Sequence, residues 1–153
     1  MLDTSYVGKK LPLIRYQVDA SKIRELAMAL GDDNPVFADK AEAQAEGYPD
    51  LVAPLTFPSL FRFWGGAAVG SETRTLLQQM GANVLRILHG EEQYEYRGLL
   101  HPGDDIIGEL EILSIEHKEG SSGAMDMVRT QATYRNQRGE VVVIARATMV
   151  VRE

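Results

Sequence analysis

At 153 residues the chain has room for one domain, since two would each need roughly 100 residues, so a single domain over 1–153 is expected. Sixteen Lys and Arg against twenty-two Asp and Glu leave a net charge of −6, which repels phosphate backbones and anionic headgroups and argues against nucleic acid and membrane surfaces as partners. The absence of cysteine excludes disulfides, thiolate nucleophiles and Cys-ligated metal or iron–sulfur sites, leaving His89, His101 and His117 as the whole imidazole supply.

The first ten residues have no apolar core of signal-peptide length. The longest apolar stretch, 141–151, is broken by Arg146 and falls short of the ~20 residues a membrane span needs. A cytoplasmic protein is the expectation. Residues 13–18 can form a strand. A first helix follows, with Asp19 as N-cap, Ile23, Leu26, Ala27 and Leu30 on one apolar stripe, and Gly31 at its end. A second, Ala-rich helix spans about 39–46 and stops at Gly47. Between the two helices, 32–37 reads as a loop. The third helix is the most apolar. Pro54 suits its first turn, Phe57, Leu60, Phe61 and Trp64 fall at i, i+3, i+4 and i+7, and Arg62 is the only charge between 56 and 70. A helix of this kind is expected to be buried.

From residue 84 the period becomes two, with strands predicted over 84–96, 105–118, 124–136 and 141–152. Their connections are short, which predicts antiparallel hairpins between successive strands. Long antiparallel strands curving around one greasy helix make an α+β hot-dog: a half-apolar sheet needs a cover, and only the third helix is apolar enough to give it.

Several motifs carry a resemblance. Asp32-Asp33-Asn34-Pro35-Val36 resembles the Asp-x-Asn-Pro-x-His signature of MaoC-like, R-specific enoyl-thioester hydratases. Leu88-His89-Gly90-Glu91 with Tyr94 and Tyr96, then Pro102-Gly103-Asp104, and the stretch Leu51-Val52-Ala53-Pro54-Leu55-Thr56-Phe57 are similar to the N-terminal-type (FAS1-like dehydratase) branch of that family. The resemblance covers nearly the whole chain. It implies a hot-dog that pairs with a second hot-dog, and a substrate acyl chain carried as a thioester on coenzyme A or acyl carrier protein, with no other cofactor. It also implies a reaction in which water is added to or removed from a trans-2-enoyl thioester. In such enzymes an Asp and a His move the protons, and a backbone amide at the start of the central helix holds the thioester oxygen.

Two departures set the functional expectation. The family histidine falls at Phe37, and the oxyanion-donor glycine falls at Pro54, which has no N–H. Loss of a general base typically costs roughly 10²–10⁴ in rate, and loss of an oxyanion donor roughly 10²–10³. The chain therefore resembles the non-catalytic subunit of the heterodimeric (3R)-hydroxyacyl-carrier-protein dehydratases of mycobacteria, which shapes the acyl channel beside a catalytic MaoC chain.

The candidate site residues follow. Asp32 and Asn34 are the remaining motif polar groups, with turn formation as the competing role. Phe37, Pro54, Thr56, Phe57, Leu60, Phe61 and Trp64 are the candidate acyl-binding set, the aromatic ones being core residues first. His89 and His101 are substitute bases to check, and His117 in its charged surroundings reads as a solvated strand end. Arg62, Arg86 and Arg97 are candidate phosphate contacts. No spacing suggests a metal. A homodimer is expected in isolation, because one hot-dog leaves a sheet edge unpaired. The alternatives are a self-sufficient homodimeric hydratase with a non-standard base, a hot-dog thioesterase, which the acid-free stretch 56–70 disfavours, and a non-catalytic binding protein.

Overall fold

The structure, a computed structural model, describes residues 1–11, 14–61, 77–120 and 123–152. Five strands form one antiparallel sheet: β1 (Ile14–Gln17), β2 (Ile87–Tyr96), β3 (Asp105–Gly120), β4 (Gly123–Arg135) and β5 (Val141–Arg152), in the spatial order β1-β3-β4-β5-β2. Alternation along each strand separates the faces. Ile106, Ile112, Val128, Ala132, Tyr134 and Val143 turn inward and are buried, while Glu109, Arg129 and Arg146 lie on the other face.

Helix α1 (Ala20–Leu30) begins as its sequence requires. Asp19 accepts the Ser21 N–H at 2.7 Å, and Gly31 closes the helix at φ 69°. Ile23 and Ala27 are its buried residues, the inner part of the apolar stripe. Helix α2 (Lys40–Ala45) is capped by Asp39, whose carboxylate accepts the Ala41 N–H at 2.7 Å. The third helix begins later than Pro54. A 3₁₀ turn, Phe57–Leu60, runs into Phe61, with Pro58 removing a donor from the first turn. The rest of that predicted helix, including Arg62 and Trp64, lies outside the described residues. Likewise 84–86 is a 3₁₀ turn rather than strand, because the Asn83 side chain accepts the Leu85 N–H at 3.1 Å.

The hairpin expected between β2 and β3 is corrected. The two strands are not neighbours: β2 pairs with β5 on the edge opposite β1. Residues 97–104 instead cross the end of the sheet. Along the way the Arg97 N–H donates to Val142 O (2.8 Å), Leu100 O accepts from the Ala53 N–H (2.9 Å), and the Gly103 N–H donates to Val18 O (2.8 Å). A stretch of that length easily covers the about 14 Å of three strand spacings, so loop brevity did not require adjacency.

A second correction concerns His117. It faces Asp126 directly across β3 and β4, with Nδ1 at 2.8 Å from Oδ1, and Asp126 is buried at 2% exposure. The Leu2 N–H donates to the other carboxylate oxygen at 2.7 Å. The charged neighbours of His117 in sequence concealed a side chain on the inner face.

The two sheet edges differ. β1 is short, follows Pro12, and continues a strap in which the Gly8 and Leu11 N–H groups pair with Ile112 O and Leu110 O, both at 2.8 Å. β2 is long, holds no Pro or Lys, and among the described residues has β5 as its neighbour in the sheet. A register shift between His89 and Glu91 bulges it at Gly90. A Cβ at Gly90 would stand 3.0 Å from Thr148 O and 3.4 Å from Val150 Cγ2. Gly90→Val is therefore expected to destabilise the chain by about 1–3 kcal/mol and to loosen β2 from β5. Denaturant unfolding together with hydrogen exchange at β2 amides checks this; wild-type stability and protection would contradict it.

Candidate functional site

Three segments meet beside the 3₁₀ turn Phe57–Leu60: the loop 32–37, the strap 51–57 and the turn 96–101. Main-chain bonds fix them together. The Val52 N–H donates to Val36 O (3.1 Å), the Ala53 N–H to Leu100 O (2.9 Å) and the Phe57 N–H to Pro54 O (2.8 Å). Side chains complete the clamp. The Tyr96 hydroxyl donates to Leu55 O at 3.0 Å, and the His101 ring meets Leu51 O at 2.8 Å through Nδ1. A carbonyl only accepts, so Nδ1 carries the hydrogen. Burial pushes the Tyr96 hydroxyl pKa well up, which keeps the phenol a neutral donor. At the strap's entry, the hydrogen bond from Lys40 (2.6 Å) and then the Leu51 N–H (2.8 Å) hold the Asp50 carboxyl below the usual carboxylate range.

The predicted motif residues divide into two groups. Asp32 and Asn34 are exposed, and each closes a local turn: Asp32 accepts the Asn34 N–H (3.1 Å) and Asn34 the Val36 N–H (3.2 Å). Phe37 is half-buried against the main core. Pro54 is buried and Thr56 is exposed. Phe57 and Phe61 are fully buried and Leu60 is half-buried, all in the same cluster as Tyr16 and Tyr134, with Tyr94 and Tyr96 packed against it. Trp64 falls outside the described residues.

The substitute bases are otherwise engaged. His89 is exposed and stands 3.2 Å from Glu92 across the bulge, while His101 spends Nδ1 on the strap. Arg97 binds Glu95 at 2.7 Å and Arg86 is exposed, while Arg62 is not among the described residues. Among the described residues, no cluster of three or more His, Asp or Glu is placed to hold a metal, and no helix is long and apolar enough to cross a membrane.

The chemistry available at the strap is limited. At the position that the resemblance assigns to an oxyanion donor, Pro54 has no N–H, and the preceding amide is already bonded to Leu100 O. At the position that the resemblance assigns to the histidine, the sequence has Phe37. What remains is an apolar, firmly held wall. Tyr96 and His101 as clamp residues were not foreseen. Alternation along β2, which puts Tyr94 and Tyr96 on the core face, was the available signal for the first; the second had none.

Comparison with known proteins agrees with this architecture. The family described as "FAS1-like, dehydratase domain region" matches residues 5–145. A UPF0336 protein of Streptomyces avermitilis is 34% identical over 152 residues, covering 99% of this chain and 95% of its own. Among solved structures, a MaoC-like dehydratase superposes with a TM-score of 0.79 at 28% identity, over 97% of this chain and 42% of that one. A chain of the HadBC (3R-hydroxyacyl-ACP dehydratase) complex of Mycobacterium tuberculosis superposes with a TM-score of 0.77 at 24% identity, over 97% of this chain and 99% of that one. The sheet is thus the curled five-stranded sheet of an α+β hot-dog. The chain belongs to the FAS1-like dehydratase region family, within the MaoC-like hot-dog hydratases and dehydratases.

Proposed function

We propose that this chain is the acyl-thioester-binding subunit of an R-specific enoyl-thioester hydratase/3-hydroxyacyl dehydratase, paired with a MaoC-like chain that supplies the Asp and His. The observation that carries the reading is the coincidence of Phe37 with a strap lacking a donor at Pro54, in an otherwise intact fold. Such a chain holds and shapes substrate rather than moving protons. In this reading Phe37, Phe57, Leu60, Phe61 and Trp64 wall the acyl tunnel, and Pro54 and Thr56 stand at its mouth. The substrate is carried on coenzyme A or acyl carrier protein, and no further cofactor is involved. Asp32 and Asn34 shape the loop beside the tunnel. The place of β2 at an edge of the sheet, beside β5, supports pairing with a second hot-dog.

Coexpression with a MaoC-like chain bearing the Asp/His pair tests the proposal through hydration of a crotonyl thioester. The pair should exceed this chain alone by at least about 100-fold, the typical worth of one general base. Turnover by this chain alone at about 1 s⁻¹ or faster, within the ordinary enzyme range, would overturn it in favour of a self-sufficient hydratase.

A further inference from the structure

The strap 51–57 owes its position to side chains as well as to main chain. Tyr96, the last residue of β2, donates to Leu55 O at 3.0 Å, and His101, in the turn that follows, donates to Leu51 O at 2.8 Å. Both donors come from one segment and both acceptors from another, so the two bonds act as a two-point clamp around Pro54. The main chain adds little between those points. The Ala53 N–H donates to Leu100 O, the Phe57 N–H turns back on Pro54 O within the strap, and Pro54 has no N–H to give.

The clamp also decides which way the strap faces. Pro54 and Phe57 are buried, and the Leu55 carbonyl is turned in toward the Tyr96 hydroxyl. The Leu55 side chain is left 61% exposed, with exposed Thr56 beside it. The Tyr96 ring itself packs against the main core that holds Phe57 and Phe61. Its place is thus set by packing, and the hydroxyl is spent on the strap alone.

We propose that Tyr96 and His101 are positioning residues, which hold Leu55 and Thr56 where the carrier arm of the acyl thioester crosses the strap. The inference rests on the acyl-thioester-binding reading and deepens it. A strap already fixed in one conformation loses less freedom when the thioester binds. The clamp touches no reacting atom, so what it contributes is shared by ground state and transition state. It acts on KM and leaves kcat alone.

The coexpressed pair carrying Tyr96→Phe in this chain should bind a crotonyl thioester with KM raised about three- to tenfold, the worth of one net hydrogen bond. Its kcat should stay within about twofold of wild type. His101→Leu should act likewise, whereas His101→Asn, whose amide can donate from the place of Nδ1, should keep KM near wild type. Val128→Ala, in a fully buried site on β4, should lower stability and leave KM unchanged, which separates positioning from general loosening. In the chain alone, hydrogen exchange gives a second readout. Tyr96→Phe should speed the Ala53 and Phe57 amides at least about fivefold and leave the β3–β4 amides as they are. Unchanged exchange at Ala53 and Phe57 overturns the clamp. A KM that Tyr96→Phe leaves unaltered, or that Val128→Ala raises equally, overturns the positioning role while the paired-subunit reading stands. A wild-type pair no faster than this chain alone defeats that reading, and this proposal with it.

Discussion

Phe61→Ala should lower the free energy of unfolding by about 3–5 kcal/mol, the cost of emptying a fully enclosed aromatic site. Phe61 is 0% exposed. Its ring lies 4.7 Å from Tyr134 on β4, 5.0 Å from Tyr16 on β1 and 5.9 Å from Phe57, all between centroids. Three of these walls are themselves large rings held by separate elements, so the site cannot collapse to fill the gap. The tilted and edge-on contacts add to the area term. Against a typical total of about 5–15 kcal/mol, the loss is a large share of the stability. Urea unfolding measures it. Phe61→Leu, which keeps an apolar wall, should cost clearly less, and a loss below about 1 kcal/mol for Ala would show that this core is loosely packed. The comparison matters for function too, because the Leu variant leaves the proposed tunnel lined while altering its shape.

The second large effect is expected at the opposite end of the sheet. Asp126→Ala should cost about 2–4 kcal/mol, because it leaves the buried Leu2 N–H and the half-buried His117 ring without their acceptor. The His117 Nδ1 lies 2.8 Å from Oδ1, and the Leu2 N–H donates to Oδ2 at 2.7 Å. The surroundings are apolar: Leu2, Leu77, Met80, Ile112, Val128 and Val151 form a second buried cluster, with Val151 directly opposite Asp126 on β5. Asp126→Asn keeps one acceptor oxygen and should cost less. The double variant Asp126→Leu with His117→Phe removes the His117–Asp126 pair and leaves only the Leu2 N–H without its acceptor, so it should recover part of the loss, as apolar replacement of buried pairs does elsewhere. A double-mutant cycle by thermal unfolding checks this, and additive losses would show that the two side chains do not depend on each other.

The parts of the fold legible in the sequence are those with local causes. Asp19 and Gly31 bound α1 because a carboxylate at the N-cap and a positive φ at the C-cap are properties of single residues. β5 coincides with the predicted 141–152, and β4 differs by one residue at each end, since alternation is also local. Sheet order was not legible. Ile87 pairs with Val151 because the inner faces of β2 and β5 both need cover, and nothing in the short turn 99–104 reports that. The same distinction holds at the site. Phe37 and Pro54 can be read directly, because absent chemistry needs no geometry. The clamp of Tyr96 on Leu55 and His101 on Leu51 joins residues about 40–50 positions apart, so only the folded chain displays it.

The order β1-β3-β4-β5-β2 also has a consequence for the sequence of events in folding. β3, β4 and β5 follow one another along the chain and can zip as a meander with little loop-closure entropy at each step. β2 is made before all three, yet its neighbour among the described strands is β5, the last strand of the sheet. During synthesis it must wait, unpaired, until the strand farthest from it in order has arrived. The edge proposed to receive another subunit is thus assembled last, so such association would be deferred until the rest of the sheet is complete.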